Sequence, residues 1–349
     1  MGGTGGAMTS LVPPIVQVQH QLVLFTVFDQ ATAALGFLRY PTTTTSNTVM
    51  NFASRLTEEH STPERSRSVL VVADLEINSM LFDHLLTTGW ATEYVGTNEA
   101  ALALLQTREF DVIITAVASS AKEDLKLLRQ IRCARPHTRM IILTREGTTQ
   151  DVISALRERA FSYFSKPYSF ETLSEMIRMA IEGPCWDDGI EVLSATPAWI
   201  RLLVRCDDRI AERMMQFFNE FADLPDQEKG QVAYVFREML LNAMRHGANF
   251  DPTQYVEISY VRARHAVACR VKDPGQGFSL SELYHAAVCN PIDDPIRHMQ
   301  FREANGLPPG GYGILLSRHL VDELIYNEQG NEVLLIKYVD EQMPEKYPA

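Results

Sequence analysis

The side chains of this 349-residue chain that are best suited to chemistry follow a helical spacing in its second half. Glu238, Asn242 and the pair Arg245 and His246 recur at i, i+4 and i+7/i+8, which places them on one face of a predicted helix. Apolar residues fill the other faces. A polar stripe in such a helix needs partners, because an unpaired buried polar group is costly. A metal-bound phosphate would be one such partner, and a solvated helix surface is the alternative.

A second segment, Asp273-Pro274-Gly275-Gln276-Gly277, directly follows a predicted strand. The carboxylate of Asp273 could accept a hydrogen bond from an exocyclic amine. Gly275 and Gly277 would let the backbone approach a flat base. The alternative is a tight turn, for which Asp-Pro-Gly is well suited.

A third segment is a glycine-rich turn that opens a predicted helix and contains Gly310, Gly311 and Gly313. Glycines before a helix N-terminus expose several N–H groups and a partial positive charge to an anion. The segment therefore predicts an anion site, and a flexible surface loop is the alternative.

In this order and spacing, the three segments resemble the N, G1 and G2 boxes of the ATP-binding superfamily shared by gyrase, histidine kinases and anti-sigma-factor serine kinases. The ending from Leu320 to Lys337 is most similar to the anti-sigma-factor serine kinase branch. The resemblance covers residues 190–340 and implies that this part of the chain binds Mg·ATP.

The resemblance also implies a role for each residue of the site. Asn242 would ligate Mg²⁺, and Glu238 would be the general base. Asp273 would bind adenine, and Arg245 and His246 would line the ATP site. The pocket would be shaped by five glycines, namely Gly275, Gly277, Gly310, Gly311 and Gly313.

The histidines of the chain argue against a phosphoaccepting histidine. None of the nine falls between His137 and His246, where a dimerisation helix would carry it. The resemblance to anti-sigma-factor serine kinases therefore implies a partner-switching protein serine/threonine kinase that acts on an anti-sigma antagonist and sequesters a sigma factor. The alternative is an ATP-binding interaction module with negligible turnover, in which nucleotide sets the conformation of a lid at 279–309.

The preceding part, residues 68–182, resembles the receiver domain of response regulators, with Thr144 ending one strand and Lys166 preceding a proline after the last. In that family an acidic pair holds Mg²⁺ and an aspartate accepts the phosphoryl group. Here the pair reads Ala73-Asp74, and the acceptor position reads Ala116. We expect a phosphorylation-incompetent docking or dimerisation module, in which Thr144 and Lys166 only hold loops. A spacer is the alternative.

The elements that must position these residues predict an α/β protein. Strands and helices alternate over residues 67–183, which predicts an N-terminal (βα)5 doubly wound, receiver-like domain. Residues 184–349 predict an α/β sandwich ATP-binding domain, with helices on one side of a mixed sheet and a single strand at the end. Residues 1–66 are polar and rich in threonine and glycine, which favours a flexible arm.

Composition narrows the partners. The net charge of −12 argues against a nucleic-acid-binding surface, so we expect protein partners and no direct nucleic acid. The five scattered cysteines form no disulfide or zinc pattern, which favours a reducing cytoplasm. The sequence shows neither a signal peptide nor a membrane span, and a homodimer stays open.

Overall fold

The computed structural model describes residues 67–73, 85, 89–116, 120–183 and 189–339. Its first sheet is parallel, with strand order β2-β1-β3-β4-β5. The strands are β1 (Ser68–Ala73), β2 (Ala91–Val95), β3 (Val112–Ala116), β4 (Arg139–Thr144) and β5 (Ser162–Ser165). The helices are α1 (Asn98–Leu105), α2 (Ala121–Ala134), α3 (Thr149–Arg157) and α4 (Phe170–Glu182). The predicted arm at 1–66 lies outside the described residues.

Burial explains why the first sheet is covered on both faces. Val69 and Val71 of β1 point into one hydrophobic cluster, and Leu70 and Val72 point into another. A strand that is apolar on both faces needs helices on both sides, which is the doubly wound arrangement. The prediction of a receiver-like parallel sheet is confirmed.

The second sheet has six strands in the order β10-β11-β9-β8-β7-β6, and every pairing is antiparallel. The strands are β6 (Ile190–Thr196), β7 (Trp199–Arg205), β8 (Tyr255–Ala263), β9 (Ala266–Lys272), β10 (Glu323–Tyr326) and β11 (Glu332–Tyr338). The predictions of a mixed sheet and of one final strand were wrong. The last segment is a hairpin, because Asn327 and Gly330 form a turn between β10 and β11.

The helices of this half explain the antiparallel order. Between β7 and β8 lie α5 (Asp208–Phe221) and α6 (Asp226–Asn242), joined by a short loop. Two helices in succession run down and back up beside the sheet, so the chain re-enters the sheet at the end where β7 finished. The next strand, β8, therefore runs antiparallel to β7, whereas a single helix would favour a parallel strand. Further along the chain are α7 (Arg297–Ala304) and α8 (Gly313–Leu320).

Helix α5 also borders the edge strand of the first sheet. Arg213 Nε donates to the carbonyl of Phe161 at 3.0 Å, and Gln216 Nε2 donates to the carbonyl of Tyr163 at 2.9 Å. The carboxylate of Glu220 accepts from the backbone N–H of Ser165 at 3.1 Å. A sheet edge leaves backbone groups unpaired, and three side chains from one helix pair them here.

The second sheet carries a chain of buried ion pairs. Arg270 of β9 contacts Glu332 of β11 at 2.5 Å and Glu257 of β8 at 3.0 Å, and Glu257 also contacts Arg201 of β7 at 2.8 Å. Both Arg270 and Glu332 are buried. These ion pairs therefore link four strands, and removing one partner of a buried pair would destabilise the fold.

Among the described residues, no helix combines the length and the apolarity that crossing a bilayer requires.

Candidate nucleotide site

Helix α6 presents the first predicted site residues. Its buried residues include Phe236 and Met239, which pack into the core under the second sheet. Glu238 and Asn242, one turn apart, stay half-buried on the remaining face. The predicted stripe is therefore present over this turn.

The α-helix ends at Asn242 and continues as a π-helical turn, Ala243–Gly247. The prediction that Arg245 and His246 continue one regular helix face was wrong, because the wider turn changes the angle between successive side chains. The Arg245 guanidinium lies 5.8 Å from the centre of the Phe250 ring. Burial, together with the charges of Arg245 and His285, lowers the pKa of His246.

The π-helical turn brings Gly247 against Asp273. A methyl group on Gly247 would lie 2.5 Å from Cβ of Asp273, which leaves no room for a side chain there. The backbone N–H of Gly275 donates to Oδ1 of Asp273 at 2.8 Å. Burial raises the pKa of this carboxyl group. The second oxygen, Oδ2, is the one that the internal bond leaves for a ligand.

A turn that the sequence alone did not identify holds the Asp273 loop. Asn331 accepts the N–H of Asp273 through its backbone carbonyl at 3.0 Å, and its side-chain amide donates to Gly275 O at 3.3 Å. Asn327 Oδ1 accepts three backbone N–H groups of the same turn. The Asn-x-x-Gly-Asn pattern could have signalled it.

Gly277 lies against the turn between β10 and β11. Its φ is +79°, and a side chain would collide with the carbonyl of Gln329. The contact that requires glycine is therefore the β10–β11 turn. The described contacts of Gly277 do not place it at the pocket wall.

Helix α8 brings its first residue to Glu238. A methyl group on Gly313 would collide with Oε2 of Glu238 and would lie 3.4 Å from its Cδ. The carboxylate thus sits at the N-terminal end of α8, where the helix dipole favours negative charge. The first and third predicted segments are brought together here.

The predicted lid, residues 279–309, lies over the glycine turn. Ala287 donates its N–H to Gly311 O at 2.8 Å. Gly310 and Gly311 have φ of +140° and +90°, so both backbones favour glycine. A methyl group on Gly311 would lie 2.5 Å from His285 O and 3.2 Å from Cδ2 of His298. The lid residues His285 and His298 were not predicted as part of the site.

At the corresponding edge of the first sheet, Ala73 and Ala116 are direct partners in the register of β1 and β3. Two methyl groups therefore occupy neighbouring strand ends. Thr144 donates from its hydroxyl to Glu146 O at 2.8 Å, a bond within the loop that follows β4. Asp74 lies outside the described residues.

Clusters of three or more histidine, cysteine and acidic side chains that could hold a metal ion are absent from the described part of the chain. A divalent cation here would need oxygen ligands from Asn242, water and a bound phosphate.

Comparison with known proteins identifies two family models. Residues 205–337 match the histidine kinase-like ATPase domain, and residues 69–178 match the response regulator receiver domain. The receiver match spans the first sheet, and the ATPase match spans the second sheet from the end of β7 onward.

Two curated relatives are similar over part of their length. The response regulator protein FleR of Pseudomonas aeruginosa is 29% identical over 112 residues, which is 32% of this chain and 24% of the relative. The transcriptional regulatory protein ZraR of Escherichia coli is 25% identical over 114 residues, 32% of this chain and 26% of the relative. The chain thus spans about a quarter of the length of these relatives.

Solved structures of receiver domains are also similar. The signal receiver domain of an HD domain-containing protein from Pseudomonas fluorescens has 28% identity and a TM-score of 0.33, and covers 36% of this chain and 93% of that one. A receiver domain protein from Clostridium thermocellum has 28% identity and a TM-score of 0.30, over 33% and 94%.

Proposed function

We propose that this chain, which joins a response regulator receiver domain to a histidine kinase-like ATPase domain, uses Mg·ATP to phosphorylate a serine or threonine of a protein partner. The observation that carries the proposal is the position of Glu238, one turn before Asn242 and against the N-terminus of α8. A base, a metal ligand and an anion site converge at that point.

Nucleotide binding rests on an acceptor for adenine and on backbone N–H groups for the phosphates. Oδ2 of Asp273 is positioned to accept a hydrogen bond from the exocyclic amine of adenine, since Oδ1 is used by Gly275. The exposed N–H groups of Gly310, Gly311 and the start of α8 suit the phosphates. A methyl group on Gly275 would lie 2.8 Å from Oδ1 of Asp273, and a methyl group on Gly311 would lie 2.5 Å from His285 O. A side chain at either position would therefore crowd the groups that contact the nucleotide.

The donor set also fits Mg²⁺. The amide oxygen of Asn242 is a hard oxygen ligand, and the remaining positions would be taken by phosphate oxygens and water. When bound, the cation would neutralise charge on the phosphates. It would also reduce the repulsion between them and Glu238.

Phosphoryl transfer would depend on positioning and charge neutralisation, with little covalent chemistry from the protein. The Glu238 carboxylate would accept the proton of the attacking hydroxyl. The absence of a histidine between His137 and His246 favours a partner hydroxyl over autophosphorylation. The similarity of the ending at 320–337 favours an anti-sigma antagonist as substrate and a sigma factor as the sequestered partner.

For the receiver, Ala116 favours a docking role over a phosphorylation switch. A methyl group cannot accept a phosphoryl group, and Ala73 removes one of the two carboxylates expected to hold the metal. Acetyl phosphate should accordingly leave residues 67–183 unlabelled, and labelling there would contradict this role.

The binding test is calorimetric titration of the full chain with Mg·ATP. Asn242→Ala should abolish binding, because it removes the metal ligand. Asn219→Ala, at an exposed asparagine of α5, is the matched control and should bind like wild type. Equal affinity of Asn242→Ala and wild type would refute the site assignment.

The activity test is incubation with labelled ATP and co-encoded antagonist candidates. Wild type should label a serine or threonine of the partner. Glu238→Gln should bind Mg·ATP, but its rate of phosphoryl transfer should be at least about a hundredfold lower, as expected for loss of a general base. Tight ATP binding with no labelled partner would favour the nucleotide-gated interaction module.

A further inference from the structure

A buried histidine of the lid has no place in the function proposed so far. His298 on α7 is completely buried, and its neighbours on the same helix, Arg297 and Met299, are exposed. Its ring lies at 87° to the ring of Tyr312, with 4.6 Å between the ring centres. The side chain therefore anchors α7 beside the glycine turn.

The hydrogen bonds of Asn290 determine which ring nitrogen of His298 carries the proton. Oδ1 of Asn290 accepts the backbone N–H of His298 at 2.9 Å, so the hydrogens of the amide are on Nδ2. Nδ2 contacts the carbonyl of Pro295 at 2.6 Å and Nδ1 of His298 at 2.7 Å. Nδ1 must then accept, and the neutral ring carries its hydrogen on Nε2.

The acceptor role of Nδ1 requires the neutral form of the ring. Burial, and to a smaller extent the charge of Arg302, lowers the pKa of His298. Nε2–H is thus a fixed donor whose orientation is set by Asn290.

That donor is buried and has no hydrogen-bond partner in the described part of the chain. The adjacent ring atom, Cδ2, faces the glycine turn, 3.2 Å from where a methyl group on Gly311 would lie. Arg302 Nη1 lies 3.4 Å from the same point while donating to His285 O. An N–H donor needs an acceptor, and the positive charge of the nearby Arg302 guanidinium favours an anionic one.

The geometry points to His298 Nε2–H as a hydrogen-bond donor to a phosphate oxygen of the nucleotide held on the glycine turn. This inference rests on the proposed ATP site and makes His298 the lid residue that responds to phosphate. Because Asn290 and Arg302 fix the two ends of α7, a bond at His298 would fix the whole lid over the nucleotide.

The test is the affinity of the full chain for Mg·ATP and for adenosine. His298→Phe keeps an aromatic ring in the space and removes the donor, so its Kd for Mg·ATP should rise about tenfold or more. Its affinity for adenosine, which has no phosphate, should stay unchanged. His298→Gln restores an N–H and should recover part of the loss. His265→Phe, an exposed histidine of the β8–β9 turn, is the matched control.

Three results would overturn the inference. One is unchanged Mg·ATP affinity in His298→Phe, another is an equal loss for adenosine, and the third is a ring ¹⁵N spectrum that shows the hydrogen on Nδ1. A wild-type spectrum with Nε2–H that shifts on addition of Mg·ATP supports it even where His298→Phe disturbs folding. If wild type binds Mg·ATP and Asn242→Ala does not, the proposed function stands whatever His298 does. If wild type does not bind Mg·ATP, both the proposed function and the role of His298 are wrong.

Discussion

Replacing Gly247 by alanine tests the contact that joins the end of the α6 region to the Asp273 loop. The backbone of Gly247 lies outside the left-handed region, so alanine introduces no backbone strain. Its methyl group, however, would lie 2.5 Å from Cβ of Asp273, where ordinary carbon contacts are about 3.5–4.0 Å. Asp273 would have to move by roughly 1 Å or more. The movement would break its bond with the N–H of Gly275.

The magnitude follows from three contributions. Forcing an extra methyl group into a packed site costs about 1–3 kcal/mol. Losing a hydrogen bond to a carboxylate costs about 1.5–3 kcal/mol. Removing a glycine from the unfolded chain returns about 0.5–1 kcal/mol. The net effect is a loss of about 2–5 kcal/mol, which lowers the unfolding midpoint by roughly 5 °C or more.

The assay compares thermal unfolding and Mg·ATP titration for Gly247→Ala and Gly230→Ala. Gly230 lies on an exposed face of α6 with nothing within 4 Å of an added methyl group. That control should be stabilised by about 0.5–1 kcal/mol and bind ATP normally. Gly247→Ala should be destabilised, and its Kd for Mg·ATP should rise about tenfold because the adenine acceptor is displaced.

The reasoning would be refuted if Gly247→Ala matched wild type in both unfolding midpoint and Mg·ATP affinity. Asp273 would then be free to move, and its position beside the turn would be without consequence for the nucleotide. If Gly247→Ala were destabilised but bound Mg·ATP like wild type, the contact between Gly247 and Asp273 would be supported. The assignment of Asp273 to the adenine site would be wrong.

Three further perturbations test the interface, the ion pairs and the titration of the site. Gln216→Leu leaves the carbonyl of Tyr163 without its donor and should cost about 1–3 kcal/mol in urea unfolding; no loss would show that this bond is dispensable. Arg270→Ala should cost about 3 kcal/mol or more, because buried Glu332 loses its partner at 2.5 Å and keeps the weaker contact with Lys272 at 3.7 Å. Arg270→Met with Glu332→Leu should cost less, and the reverse order would contradict this account. Burial raises the pKa of Asp273, so it gains a proton at a higher pH than an ordinary aspartate as the pH falls. Mg·ATP affinity should therefore drop on acidification, and Asp273→Asn should lack that step.

The parts of the fold that the sequence predicted well are those with a local signal. Val69–Val72 is apolar without interruption, which predicts a strand covered on both sides. Asp273-Pro-Gly following a strand predicts a loop at a strand end, and the structure places it there. In both cases the residues that create the pattern are the residues that form the element.

The features that the sequence did not predict depend on backbone geometry or on contacts between residues that are far apart in the sequence. No periodicity distinguishes a π-helical turn from an α-helix, so the orientation of His246 could not be read from spacing. The close contact of Gly277 with Gln329, which is remote in sequence, could not be read from the sequence. His298 looked like any histidine in a polar loop, since its burial depends on Asn290 and Tyr312.

The receiver retains a physical role even where Ala116 occupies the acceptor position. Helix α5 uses Arg213, Gln216 and Glu220 to pair the edge of β5, and its Phe218 ring stacks on Phe236 of α6 with 4.3 Å between centres. Detaching β5 would leave these polar groups without partners and would expose buried surface. The same helix thus contacts the receiver edge on one side and the helix that carries Glu238 and Asn242 on the other. A displacement of β5 would therefore be passed through α5 to the helix that carries Glu238 and Asn242.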